Sequence, residues 1–121
     1  MIVDDLFQNL EKIDFTQMDF DKVLDNRDLP EFDEEWIRIF NNIEAMKKEK
    51  GFSEQSKSIS DNIREKVYLK IYDLTQDDSI AGYASDDFGL ICDSEFLEYN
   101  DDWLDKFINS YDNLQFPNGK L

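Results

Sequence analysis

Apolar residues recur at intervals of three and four along most of this chain, which is the spacing of amphipathic helices. The clearest example runs from Pro30 to Lys50. Its apolar positions share one face of a helix and are Phe32, Trp36, Ile39, Phe40, Ile43 and Met46. Four acidic residues near its start and three lysines near its end match the helix dipole, and Gly51 supplies a stop. The pattern predicts a long helix.

A second long helix is predicted from Ser58 or Ser60 to Leu74. Its apolar stripe consists of Ile59, Ile63, Val67, Ile71 and Leu74. Six of the eight residues 67–74 are apolar or aromatic and point in all directions, which is typical of a helix at the centre of a fold. Lys70 lies inside this apolar arc, so its side chain must extend to solvent or meet an acidic residue.

The next segment is predicted to be a junction between short helices. Thr75–Ser79 can end the second long helix and cap a short one that continues through Ile80–Tyr83. Ser85 suits the N-cap of the following helix, and Asp86 and Asp87 then fall in its first turn. A carboxylate gains roughly 0.3–1 kcal/mol at that position. The same two aspartates are candidate partners of the lysine in the preceding helix.

The two ends of the chain also have helical patterns. Ile2–Ile13 is predicted to be a short amphipathic helix, and Phe15–Leu24 is either a short helical turn or a docked irregular segment. Asn100 or Asp101 is expected to cap a last helix. Its apolar residues are Trp103, Leu104, Phe107, Ile108, Tyr111 and Leu114.

Together these elements predict an all-α fold, because no stretch shows the alternation of a strand. We expect one domain over residues 1–121, built as a bundle of about five to six helices. Two long antiparallel helices lie at its centre, and shorter helices follow toward the C-terminus. A chain of 121 residues can bury roughly two-thirds of its unfolded surface.

Charge is the largest departure from an average composition, with a net value of −16. Residues 1–30 carry a net −5, residues 31–75 a net −2, and residues 76–121 a net −9. A surface of this kind repels nucleic acid and anionic membranes and attracts basic proteins. The same acidity could equally serve only to keep the protein soluble.

Most catalytic chemistry is excluded by the residues present. The chain has no histidine and one cysteine, so Ser–His and Cys–His nucleophiles and Zn or Fe–S sites cannot be built. Its four glycines are scattered and form no phosphate-binding loop. We predict neither enzymatic activity nor a cofactor. Cys92 lies in an apolar run, which favours a buried and unreactive thiol.

The chain also has no feature of a secreted or membrane protein. Its longest apolar run is far shorter than the roughly 18 residues that span a bilayer. Residues Met1–Asp5 lack the basic and apolar parts of a signal peptide. A single cysteine allows no intramolecular disulfide. We therefore expect a cytoplasmic protein that does not bind membranes.

A resemblance to known proteins appears in roughly the last 60 residues. The positions that carry it are Tyr83, Ser85, Asp86, Asp87, Phe88, Leu90 and Ile91, followed by Trp103, Leu104, Tyr111, Phe116 and Pro117. This pattern resembles small acidic bacterial proteins that include immunity proteins of polymorphic toxin systems. The resemblance implies a non-catalytic protein that binds and blocks a toxin domain, often a basic nuclease.

Two functions therefore compete. In the first, the chain is an immunity-type inhibitor whose acidic surface docks on a basic toxin domain and makes no direct contact with nucleic acid. The candidate contact residues are Asp86, Asp87, Asp93, Glu95, Glu98, Asp101, Asp102, Asp105 and Asp112. In the second, it is a small helical domain of another role, an assembly subunit or an unrecognised enzyme, that is acidic for solubility. One continuous acidic face favours docking and an even scatter favours solubility; monomer and homodimer both stay open.

Overall fold

The computed structural model describes residues 1–121 and confirms the all-α prediction. Six helices form the bundle: α1 (Ile2–Asn9), α2 (Phe20–Asp28), α3 (Pro30–Lys50), α4 (Glu54–Thr75), α5 (Asp78–Phe96) and α6 (Asp102–Asp112). Two 3-10 turns, Leu10–Lys12 and Phe15–Gln17, join α1 to α2. None of the helices is both long enough and apolar enough to cross a bilayer.

The helix ends follow from local chemistry. Pro30 begins α3, where its missing N–H costs no hydrogen bond, and Gly51 ends it with a φ of 81°. Asp101 caps α6 by accepting a hydrogen bond from the backbone N–H of Leu104. α4 begins several residues earlier than predicted, because the side chain of Ser53 already provides its N-cap.

The predicted junction around Ser85 is wrong, because α5 is one continuous helix. Asp77 caps this helix by accepting a hydrogen bond from the N–H of Ile80 at 2.9 Å. Ser85 lies in its interior, where the hydroxyl donates to the carbonyl oxygen of Arg64 at 2.8 Å. A serine that donates to a neighbouring helix does not compete with its own backbone, so the helix is not interrupted.

The central pair of helices is α4 and α5. The two-residue link of Gln76 and Asp77, with Gln76 in the left-handed conformation at a φ of 55°, turns the chain back on itself. α5 then packs along the length of α4. The predicted partner α3 instead contacts α2 and α5 and hardly touches α4. Both long helices therefore rest on α5.

The remaining helices cover α5 with apolar side chains, and the buried residues form one continuous cluster. α1 contributes Val3 and Leu6. α6 contributes a row of aromatic rings in which Phe107 contacts Trp103 and Tyr111 at centroid distances of 5.2 and 5.9 Å. This packing fixes the faces of α2, α3, α5 and α6 that are available to a partner.

Candidate partner-binding surfaces

The carboxylates predicted to form one docking face lie in several different environments. Asp87 is fully buried, so the prediction that it belongs to an exposed face is wrong. Its position one residue after the exposed Asp86 turns it from the surface of α5 toward the core, where it meets a buried base. The candidate contact residues therefore do not form one continuous acidic face.

Asp87 is the centre of a buried hydrogen-bond network. Its Oδ1 accepts from Nη2 of Arg27 at 2.7 Å and from Nε1 of Trp36 at 3.0 Å. Its Oδ2 accepts from Nη1 of Arg27 at 2.9 Å and from the Tyr111 hydroxyl at 2.6 Å. Nη1 of Arg27 also donates to the carbonyl oxygen of Pro117 at 3.0 Å. One ion pair thus joins α2, α3, α5, α6 and the segment after α6.

Aromatic rings surround the base in this network. The guanidinium carbon of Arg27 lies 4.5 Å from the ring centroid of Phe32, 4.9 Å from Tyr83 and 5.1 Å from Phe116. Burial alone would lower the pKa of Arg27, but the negative charge of Asp87, its hydrogen bonds to the guanidinium and smaller contributions from two tyrosines together outweigh burial and raise that pKa. Its Nε is left without an acceptor. Because Arg27 and Asp87 are buried and bind each other, neither charge is available to a partner protein.

Three further candidates are paired with bases on other helices. The pairs are Asp86 with Arg64 at 2.7 Å, Asp93 with Lys47 at 2.7 Å, and Asp101 with Arg38 at 2.8 Å. The hydrogen bond from Arg38 lowers the pKa of Asp101. These carboxylates join helices through ion pairs. A partner protein would have to compete with the lysine or arginine that each carboxylate already binds.

Glu95 has a structural role at the start of α1. It accepts hydrogen bonds from the backbone N–H groups of Ile2 and Val3, both at 2.9 Å. Lys70 pairs with Glu11, next to the other end of α1, and not with the aspartates of α5 that the sequence offered as partners. Two side chains from the central helices therefore fix the N-terminal segment.

The remaining four candidates, Glu98, Asp102, Asp105 and Asp112, are exposed and form no ion pair. The last three lie along one side of α6, at spacings of three and seven residues. We call these three residues the α6 acidic face. It is smaller than the predicted surface, and it includes no exposed aromatic residue.

A groove runs between α3 and α4, with α5 as its floor. Its wider part has a volume of about 300 Å³ and is bordered by Trp36 and Phe40 of α3, Arg64 of α4, and Asp86 and Gly89 of α5. A Cβ added at Gly89 would lie 2.6 Å from Cδ of Arg64, so a larger residue there would displace the arginine side chain. The stem of this arginine can therefore lie across the floor while its guanidinium reaches Asp86.

The groove continues into a second cavity of about 180 Å³, which we call the aromatic cavity. Its apolar walls are Phe32, Trp36, Ile37 and Tyr83, and its polar walls are Arg27, Asp28, Asp33 and Asp86. Trp36 and Asp86 border both parts. Ile37 in the aromatic cavity and Phe40 in the wider part of the groove are 44% and 42% exposed. Apolar surface that is left open among carboxylates is typical of a binding site.

The sequence did not reveal the aromatic cavity. The hydrophobic pattern places Phe40 in the apolar stripe of α3, but its side chain lies on the groove side of that stripe and is exposed. The available signal was Ile37, a large apolar residue just outside the stripe. Arg27 gave a second signal, because it is the lone arginine in a strongly acidic segment, yet no local pattern connects it with Asp87.

The single cysteine and the acidic side chains are the candidates for a reactive thiol and for a metal site. Cys92 is buried, as predicted, and burial together with nearby carboxylates raises its pKa to about 12. No group of three or more Cys, Asp or Glu side chains is arranged to hold a metal ion.

Comparison with known proteins agrees with the resemblance seen in the sequence. The model of the family described as Immunity protein PIM1 matches residues 2–118, which is nearly the whole chain and includes all six helices. No curated protein is similar enough to be counted as a relative. Proteins of an immunity family are generally non-catalytic. The chain belongs to the Immunity protein PIM1 family.

Proposed function

We propose that this chain inhibits a toxin by binding directly to the toxin domain and covering a basic surface on it. Membership of an immunity family supports the choice of a toxin as partner. The net charge of −16 supports a basic partner, because opposite charges accelerate association and suppress binding to acidic proteins. Inhibition here means occupying the toxin, without a chemical step.

One observation carries the proposal: most of the carboxylates have no ion-pair partner within the protein. Eight of the 29 acidic residues form ion pairs, which leaves 21 without a base. All three arginines and two of the lysines form those ion pairs, and the other eight lysines are unpaired. The charge that is free to act on another molecule is therefore strongly negative.

Ten of the 21 unpaired carboxylates lie in two regions, and the other eleven are spread over the rest of the chain. One is the α6 acidic face, near which Glu98 is also exposed. The other is formed by α2 and the start of α3 and consists of Asp21, Asp25, Asp28, Glu31, Asp33 and Glu34, all exposed. Of the residues predicted as contacts, we retain Asp86, Glu98 and the three members of the α6 acidic face.

Co-expression with the product of the adjacent reading frame tests this function. We expect a stable complex in which the activity of the toxin is lost. The association rate should fall at least tenfold between low and high ionic strength, because electrostatic steering is screened by salt. If the adjacent product is not retained at low salt, or is retained and stays fully active, the proposed function is wrong.

A further inference from the structure

We infer that the aromatic cavity receives an arginine or lysine side chain of the toxin domain. This inference rests on the proposed function and makes it specific, because it names the place and the chemistry of the main contact. The cavity lies among α2, α3 and α5, and the α6 acidic face supplies no part of its wall. The two acidic regions can therefore be tested separately.

The walls have the composition that binds an organic cation. Trp36 and Tyr83 line the cavity with aromatic rings, and Tyr83, whose ring already lies against the guanidinium of Arg27, is still 38% exposed. A guanidinium or ammonium group is attracted to the face of such a ring, most strongly where water is displaced. The aliphatic stem of the same side chain would cover Ile37, which is otherwise open to solvent.

The charges at the opening select a cation. Asp28 and Asp33 line the cavity and have no base within ion-pair distance. Asp86 uses only its Oδ1 for Arg64, so its Oδ2 can accept another hydrogen bond. The one positive group in the wall, Arg27, has its charge paired by two hydrogen bonds to Asp87, and only its buried Nε–H stays without an acceptor.

The exposed aspartates of α2 attract a basic partner toward this cavity. Asp21, Asp25 and Asp28 are spaced by four and three residues along the exposed side of α2, and the last of them borders the opening. A second copy of the chain is disfavoured as the occupant, because each copy carries a charge of −16. By contrast, the α6 acidic face has carboxylates but no adjoining cavity.

Two double variants with the same change of charge test the inference. Asp28→Asn with Asp33→Asn alters the cavity, and Asp102→Asn with Asp105→Asn alters the α6 acidic face. All four side chains are exposed and unpaired, so both variants should keep the melting temperature of the parent chain. Binding to the toxin domain is measured as Kd with both rate constants.

We expect the cavity variant to raise Kd at least 30-fold, mainly through faster dissociation, because it removes the direct partners of an anchored cation. The α6 variant should raise Kd by about threefold or less, mainly through slower association. Replacing each surface Arg and Lys of the toxin domain with Gln should then identify one position whose effect is largely lost in the cavity variant.

Failures of the inference and of the function are distinguishable. If the parent chain binds and the two variants weaken binding equally, or the α6 variant weakens it more, the inference is overturned while the inhibitor function stands. If the parent chain binds no toxin, the function itself fails. Sedimentation of Phe40→Ser adds a further check: a parent dimer that this change dissociates would assign the groove to a second copy and overturn the inference.

Discussion

The interior around Asp87 and the outer side of α6 hold the same chemical group under opposite conditions. Inside, one carboxylate accepts four hydrogen bonds and joins four helices. Outside, three carboxylates of the α6 acidic face have no ion-pair partner. In an acidic chain, the count of carboxylates therefore does not locate function. A carboxylate that is paired with a lysine or arginine supports the fold, whereas an unpaired carboxylate can bind another molecule.

The comparison predicts very different energetic roles for the two regions. A buried charge that loses its counter-ion leaves the remaining charge in an apolar environment, which costs far more than the loss of a surface charge. An exposed and unpaired carboxylate contributes little to stability, so it is free to serve recognition. Substitutions from the interior outward should show this gradient.

The largest effect is expected for Asp87→Asn. The change leaves the guanidinium of Arg27 buried without a counter-ion, and the free energy of unfolding should fall by about 3–5 kcal/mol. Urea unfolding at neutral pH measures it. The neighbouring Asp86→Asn is the matched control and should cost at most about 1 kcal/mol, because its pair with Arg64 is half-exposed. Equal losses at both positions would contradict the distinction between the two regions.

A smaller loss is expected for Tyr111→Phe. The ring and its aromatic contacts stay, and only the hydroxyl that donates to Asp87 is removed, so unfolding should become easier by about 1.5–3 kcal/mol. Tyr72→Phe is the control, because Tyr72 is exposed and its hydroxyl forms no hydrogen bond. That variant should stay within about 0.5 kcal/mol of the parent. A neutral Tyr111→Phe would show that the network does not depend on this donor.

An intermediate region is tested by Asp101→Asn across a pH series. Asn keeps the N-cap acceptor of α6 but loses the charge that pairs with Arg38, so the cost at neutral pH should be at most about 1 kcal/mol. Because the folded pKa of Asp101 is lowered, its stabilisation is present above the ordinary value of about 3.9 and is lost as pH falls through the folded pKa. Stability curves of parent and variant should therefore converge in acid; a constant gap would contradict this assignment.

The smallest effect is expected on the α6 acidic face. In Asp102→Asn with Asp105→Asn, a favourable interaction with the helix N-terminus is lost while repulsion within an acidic protein is relieved. The free energy of unfolding should change by no more than about 0.5 kcal/mol. Thermal unfolding at low and moderate salt measures it. A loss above about 1 kcal/mol would mean that these carboxylates support the fold.

Much of the fold could be predicted because its signals are local. Pro30, the charge gradient and Gly51 define α3 within a single stretch of sequence, and Asp101 marks the start of α6. The prediction for Ser85 is wrong because its hydrogen-bond partner is distant in the sequence. Serine is a common N-cap residue, but the hydroxyl of Ser85 donates a hydrogen bond to a carbonyl oxygen of α4, 21 residues earlier. The residue therefore lies inside a continuous helix.

The candidate site was harder to predict, because pairing between distant residues decides it. Asp86 and Asp87 are adjacent and chemically identical, yet one is exposed and the other is buried. The difference comes from Arg27, 60 positions away from its carboxylate partner. The aromatic cavity has the same origin, since Tyr83 and Trp36 border one space only after α3 has packed on α5.

The contact between Arg27 and Pro117 also affects the order of events during synthesis. These residues are 90 positions apart, so a ribosome must add 90 residues after Arg27 before the last acceptor can reach the guanidinium. At a translation rate of roughly 5–20 residues per second, several seconds pass in which the guanidinium of Arg27 lacks its full set of hydrogen-bond acceptors. Newly made molecules should therefore become fully protected from proteases only after Pro117 has left the ribosomal tunnel.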